Sequence, residues 1–162
     1  MSLRSDIIEI LEQDARTSPQ DIAAMTAKPV DEVQLEIRLM EKEGMILGYK
    51  TIFNPEKNAA EQVSCLVEIS VQPERGHGFD HIAERIYRFT EVKSVFLVSG
   101  RYDLLILVEG GSMRAVADFI ADKLAVLPNV RSQSSHFLLK KYKEMGTVLV
   151  DTHEMERIPV SP

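Results

Sequence analysis

Along the first 47 residues the hydrophobic positions recur at helical spacing, in three short runs. Ile7, Ile8, Ile10 and Leu11 mark the first. Ser5 is its expected N-cap, with Asp6 and Glu9 favourable near the positive helix end. Ser18-Pro19 starts a second helix, a capping residue followed by proline at the first helical position. It runs from Gln20 to about Thr26 and carries Ile22, Ala23 and Met25. The third follows Pro29 and spans about Val30 to Glu43. At about 100° per residue, Val33, Ile37, Met40 and Gly44 fall on one stripe, the expected core face. Gly44 then suits a left-handed cap. Three small helices followed by the stretch Met45 to Phe53 predict a winged helix-turn-helix.

Past the polar, turn-rich Asn54-Pro-Glu-Lys-Asn58 the period changes. Val63 to Val71 alternates around Cys65, Val67, Ile69 and Val71, as a half-buried strand does. Gln72 to Gly78 reads as a loop, and Phe79 to Phe89 as a helix with Ile82, Ile86 and Phe89 inward. Strands follow at Val92 to Val98 and Asp103 to Val108, joined by a turn over Ser99 to Tyr102. Ser112 caps a helix carrying Val116, Phe119, Ile120, Leu124 and Leu127, and a last strand runs from Val130 to Lys143. The class is therefore α+β, a winged helix-turn-helix followed by a ferredoxin-like βαββαβ domain. The expected boundaries are 1–48 for the helical domain, 49–62 for a hinge strand and linker, 63–145 for the ferredoxin-like domain and 146–162 for a C-terminal extension. Thr147 to Val150 offers one more strand.

Composition narrows the function. There is no Trp and aromatics are 6%, which argues against base stacking on an aromatic platform. Net charge is -6, unlike a generically basic nucleic-acid coat. Cys65 is the only cysteine, so an intrachain disulfide and a cysteine-based zinc site are excluded, and a reducing, cytoplasmic setting fits. Acids interrupt the first apolar run, which argues against a signal peptide, and no run approaches a membrane span. His77, His81, His136 and His153 do not take metal-ligand spacing, no nucleophile–base constellation stands out, and Cys65 in a strand reads as packing. No catalytic residue, metal or cofactor is expected.

Three segments together resemble the Lrp/AsnC (feast/famine, leucine-responsive/asparagine-regulatory) transcription regulators. Met40 to Lys57 is similar to that family's helix-to-hinge junction, and Val98-Ser-Gly-Arg-Tyr-Asp-Leu-Leu-Ile-Leu-Val108 to its Gly-x-Tyr-Asp turn. Leu127-Pro-Asn-Val130, with the polar strand ending at Lys140 and Lys141, is similar to its last strand. The resemblance covers roughly residues 3 to 144. It implies binding of double-stranded DNA, an amino acid or related small effector, and homodimers that assemble as a tetramer of dimers. Burial independently favours a homodimer. The open sheet face, expected to carry Val95, Leu97, Leu105 and Leu107, needs cover, unless the chain's own helical domain or tail supplies it.

Under that resemblance Lys28, Gln34, Arg38, Lys42 and the wing residue Lys50 are the candidate DNA contacts, with Gln34 able to pair with adenine or simply to be a solvated helix residue. Leu35, Glu36 and Leu39 stand where the family commonly carries basic residues. Residues 1 to 57 hold seven Lys+Arg against eleven Asp+Glu, net -4, which opposes phosphate binding. Gly100, Arg101, Tyr102 and Asp103 are the candidate effector turn, with Gln133 and Ser135 lining the same pocket from one strand face. Glycine at 100 is expected to take a positive φ, and Asp103 either holds an α-ammonium or serves the turn. Two other functions stay open. The helical domain could be a protein-contact module without DNA binding, or the chain could be a subunit like the siroheme decarboxylases, which resemble this family.

Overall fold

The helical periodicity becomes three helices in the computed structural model, which describes residues 2–57, 62–73 and 78–150. They are α1 (Leu3–Gln13), α2 (Pro19–Thr26) and α3 (Val30–Lys42). Ser18 caps α2 as expected, its hydroxyl accepting from the Asp21 N–H. For α1 the expected cap is one turn late. Ser2, not Ser5, accepts from a backbone N–H, that of Ser5, because Leu3 already packs on the core. That core comprises buried Ile7, Ile22, Ala23, Val33 and Met40, with Ile37 and Ile46 against it.

Gly44, at φ +74°, closes α3. The Gly44 N–H bonds to the Glu41 carbonyl and the Met45 N–H to the Met40 carbonyl, at 3.2 and 2.8 Å. This paired geometry satisfies the last helical carbonyls and needs a left-handed residue at position 44. The following stretch, expected as wing and hinge strand, pairs with no strand among the described residues. The chain divides into two compact units, Met1–Ile52 and Phe53–Pro162.

In the second unit the elements are β1 (Val63–Val71), α4 (Asp80–Tyr87), β2 (Val92–Leu97), β3 (Leu104–Gly110), α5 (Met113–Phe119) and β4 (Val130–Phe137). The strands form one antiparallel sheet in the order β2-β3-β1-β4, the ferredoxin-like arrangement. Ser112 caps α5, and a π turn, Ile120–Leu124, continues it. The Ala125 N–H reaches back five residues to the Ile120 carbonyl. Under the helices, Cys65, Val67, Ile69 and Val71 of β1 and Leu104, Ile106 and Val108 of β3 are buried with Ile86, Val116, Ile120 and Leu124. Phe89 and Phe119 meet edge to face, centroids 5.3 Å apart. Burial raises the pKa of the Cys65 thiol, as expected of a packing residue.

The open face differs from the expectation. Register places Val95 opposite Ile106 and Leu97 opposite Leu104, so both belong to the helix-covered face. A one-residue irregularity at Lys93 sets this pairing, which strand alternation alone does not reveal. The open face instead carries Leu66, Leu105, Leu107 and Phe96, interrupted by Glu68 and Glu109.

The last strand is also shorter than expected. After Phe137 only the Leu138 N–H continues the ladder, to the Ser64 carbonyl near the start of β1. Residues 143–148 fold as a hairpin of β5 (Lys143–Glu144) and β6 (Thr147–Val148). Its two-residue loop, Met145-Gly146, has both φ values positive, the turn that matches strand twist. The extra strand expected at residue 147 thus exists, but its partner precedes the expected boundary at 146. Leu149 is buried. The remainder of the expected extension lies outside the described residues.

Candidate functional sites

The expected site residues fall in two places, one in each unit. In the helical unit, α3 presents Leu35, Arg38 and Lys42 within about 60° of arc, opposite the Val33/Ile37/Met40 face. All three are exposed, as is Lys50, whereas Gln34 is half-buried at the side. Lys28 lies just before α3 and its ammonium is 3.4 Å from Glu32.

The acidic balance of this unit is organised. Arg4, from the first turn of α1, bonds through Nε to Glu36 and through Nη1 and Nη2 to both oxygens of Glu43, at 2.7 and 3.3 Å. These bonds raise the guanidinium pKa, and the same contact holds the Glu43 carboxyl below its usual value. Glu41 accepts from the Tyr49 hydroxyl at 3.0 Å, and partial burial, then this carboxylate, raises the tyrosine pKa. Asp31 and Glu32 occupy the first turn of α3, where the helix dipole favours them. Glu36, at a position where the resemblance led to expecting a basic residue, is turned to α1. The reason is a partner 32 residues away, which periodicity does not register.

In the sheet unit the candidate turn spans the end of β2 and the start of β3. Asp103 is tied to it on three sides. Its N–H bonds to the Ile69 carbonyl, its carbonyl takes the Val98 N–H, and Oδ2 takes the Val71 N–H at 2.8 Å. The backbone carbonyl closes the turn, while the carboxylate ties it to the end of β1, and a carboxylate engaged once retains acceptor capacity. Gly100 is not among the positive-φ glycines, and a Cβ there would meet nothing within 4 Å. The link from Val98 to Asp103 is long enough to turn without a left-handed residue. Gln133 and Ser135 share one face of β4, opposite Ile69 and Val67. That is the helix side, yet both are exposed, while Val67 and Ile69 are covered. Arg101 goes the other way: Nη2 is 3.3 Å from Glu68, on the open face. Tyr102 is half-buried beside Asp103. The structure thus brings Asp103 and Gln133 to either side of Ile69 and separates Arg101 from the β4 pair.

Strand alternation did not single out the polar groups on the open face. Glu68 is also 3.5 Å from His136 Nε2, which lies 3.3 Å from the Ser134 hydroxyl. Glu109 accepts from Gln62, Ser64 and Lys141. Only strand register assembles these groups. His77 and His153 lie outside the described residues. Among the described residues no three His, Cys, Asp or Glu side chains are grouped to hold a metal, and no helix is long and apolar enough to cross a membrane.

A three-helix unit followed along the chain by a ferredoxin-like domain places the protein in the class of two-domain helix-turn-helix proteins. A model described as the Lrp/AsnC ligand binding domain matches residues 64–148, and the chain belongs to the Lrp/AsnC family. It is 45% identical over 159 residues to the uncharacterized HTH-type transcriptional regulator YugG of Bacillus subtilis, covering 98% of this chain and 96% of that one. The leucine response regulatory protein of Mycobacterium tuberculosis superposes with a TM-score of 0.74 at 25% identity, covering 93% of this chain and 99% of that one. A Neisseria meningitidis transcriptional regulator solved as an L-Met complex gives 0.71 at 21%, covering 96% and 99%, a likeness of fold. The protein is a transcription regulator. Its relatives are named as regulators and not as enzymes, which leaves the decarboxylase reading without support.

Proposed function

We propose that the chain binds double-stranded DNA through α3 and that a small ligand, an amino acid or close relative, controls this binding through the ferredoxin-like domain. The carrying observation is the separation of charge on α3. Arg38 and Lys42 face outward, while Glu36 and Glu43 are held by Arg4. The second helix of a helix-turn-helix pair, here α3 of the α2–α3 pair, enters the major groove, where Lys28, Gln34, Arg38 and Lys42 would meet phosphates and base edges, with Lys50 beside them. The regulator acts in the cytoplasm as a homodimer, its half-buried Leu66, Leu105 and Leu107 packing on the same face of a second copy, and dimers join as a tetramer of dimers. The ligand site comprises Gly100, Arg101, Tyr102 and Asp103 with Gln133 and Ser135. Asp103 retains acceptor capacity for an ammonium, and Gln133 and Ser135 offer exposed polar groups one strand away.

Fluorescence anisotropy on DNA from upstream of the protein's own gene tests this. The expected result is tighter binding than to unrelated DNA, falling steeply with salt as counterions are released. One of the amino acids should shift both the affinity and the sedimentation profile, the two being linked. Oligomers without DNA binding at low salt would instead identify the helical unit as a protein-contact module.

A further inference from the structure

The helical unit is net acidic, and α3 with its C-cap carries Asp31, Glu32, Glu36, Glu41 and Glu43 against Arg38 and Lys42. A helix so charged repels phosphates unless its acids are kept aside. Glu36 and Glu43 lie about 120° round the helix from the Leu35/Arg38/Lys42 arc, on the flank where α1 packs. Both are claimed by a single side chain. Arg4 takes Glu43 with two nitrogens and Glu36 with the third, a use of the planar fork that lysine does not reproduce. Arg4 itself is on α1, away from the outward arc, and all three of its guanidinium nitrogens are engaged by these carboxylates.

We infer that Arg4 is a positioning residue for DNA binding. By drawing Glu36 and Glu43 onto the α1 flank and offsetting their charge, it leaves Arg38 and Lys42 as the charge that α3 presents. This rests on the reading of α3 as the DNA-binding helix. Losing Arg4 adds one net negative charge and frees two carboxylates within about a Debye length of the groove.

The test is a cycle measured by anisotropy on the same upstream DNA, across a salt series. Arg4→Gln is expected to weaken binding about threefold or more at low salt, a gap that closes as salt rises because screened carboxylates stop repelling. Adding Glu36→Gln and Glu43→Gln to Arg4→Gln is expected to restore binding to at least the wild-type level. The same two changes should gain less when Arg4 is intact. A purely structural ion pair would produce neither the salt-dependent gap nor the rescue. Circular dichroism reports whether Arg4→Gln keeps its helices. If it does not, Arg4→Lys, with charge kept and fork lost, is expected to weaken binding less and to be rescued likewise. Wild-type affinity in the Arg4 variant, or no rescue by the two glutamines, overturns the inference alone. No binding by the wild type at any salt overturns the DNA reading and this with it.

Discussion

The helical unit and the sheet unit follow the same rule of burial but differ in how their functional surfaces arise. Among the described residues the sheet unit buries fourteen hydrophobic side chains in one cluster, and the helical unit five. The larger core leaves a sheet whose chemistry lies at its ends and on its open face, assembled by register between distant strands. The smaller core leaves α3 with a whole face in solvent, and the chemistry there is set side by side along one helix. Only its acids are arranged by a distant residue, Arg4. A helix displays its candidate surface locally, whereas a sheet has to be folded before its surface exists.

The sharpest way to break this comparison is to empty each core in turn. Ile106→Ala in β3 and Met40→Ala in α3 each remove a fully buried side chain and should cost about 2–5 kcal/mol by urea unfolding. If the two units are independent in stability, Met40→Ala abolishes DNA binding while the sheet unit's transition holds. A shift of both transitions by either change would show that the units unfold together.

A smaller effect sharpens the account of the sheet unit. A Cβ at Gly110 would lie 2.9 Å from Val116 Cγ2, so β3 and the start of α5 require glycine there for closeness rather than for backbone conformation. Gly110→Ala should cost about 1–3 kcal/mol, and less in a Val116→Ala background than in the wild type, because the clashing methyl is then gone. An unchanged denaturation midpoint for Gly110→Ala would show that the helix slides aside freely.

The smallest expected effect concerns the ion pair of the helical unit. The Glu43 carboxyl is held below its ordinary 4.5 by Arg4. The folded value is the lower one, so the pair stabilises fully above the unfolded value and its contribution is lost as pH falls through the folded one. The melting difference between wild type and Glu43→Gln should be small at neutral pH and vanish in acid. A difference that grows as pH falls would contradict the pairing.

Much of the fold was legible in advance because periodicity reports which side of an element is buried. Val33, Met40, Val67, Ile69, Val116 and Leu124 were all on expected core faces and are all buried. The caps at Ser18 and Ser112 and the left-handed Gly44 followed from local backbone demands. Errors fell where the deciding partner was remote. The α1 cap moved to Ser2 because Leu3 found a place in the core, and β4 stopped at Phe137, close to where its partner β1 starts. The face occupied by Val95 and Leu97 depended on pairing with Leu104 and Ile106, and Gly100 proved to sit in a link too long to need it left-handed.

The candidate sites divide in the same way. Arg38 and Lys42 could be placed on an outward face, and Gln133 and Ser135 on a shared one, from spacing alone, since both are properties of a single helix or strand. By itself the sequence determined the helices with their buried sides, the buried side of β1, the βαββαβ order and the family resemblance, all of which are written in residues near one another along the chain. Tertiary structure decided that Glu36 and Glu43 answer to Arg4, that Asp103 is bonded to Val71, and that Glu68 gathers Arg101 and His136. Each of those contacts joins residues more than 30 positions apart. A hydrogen bond or ion pair at that separation leaves no periodic trace, because packing and strand register, not local propensity, bring its two ends together.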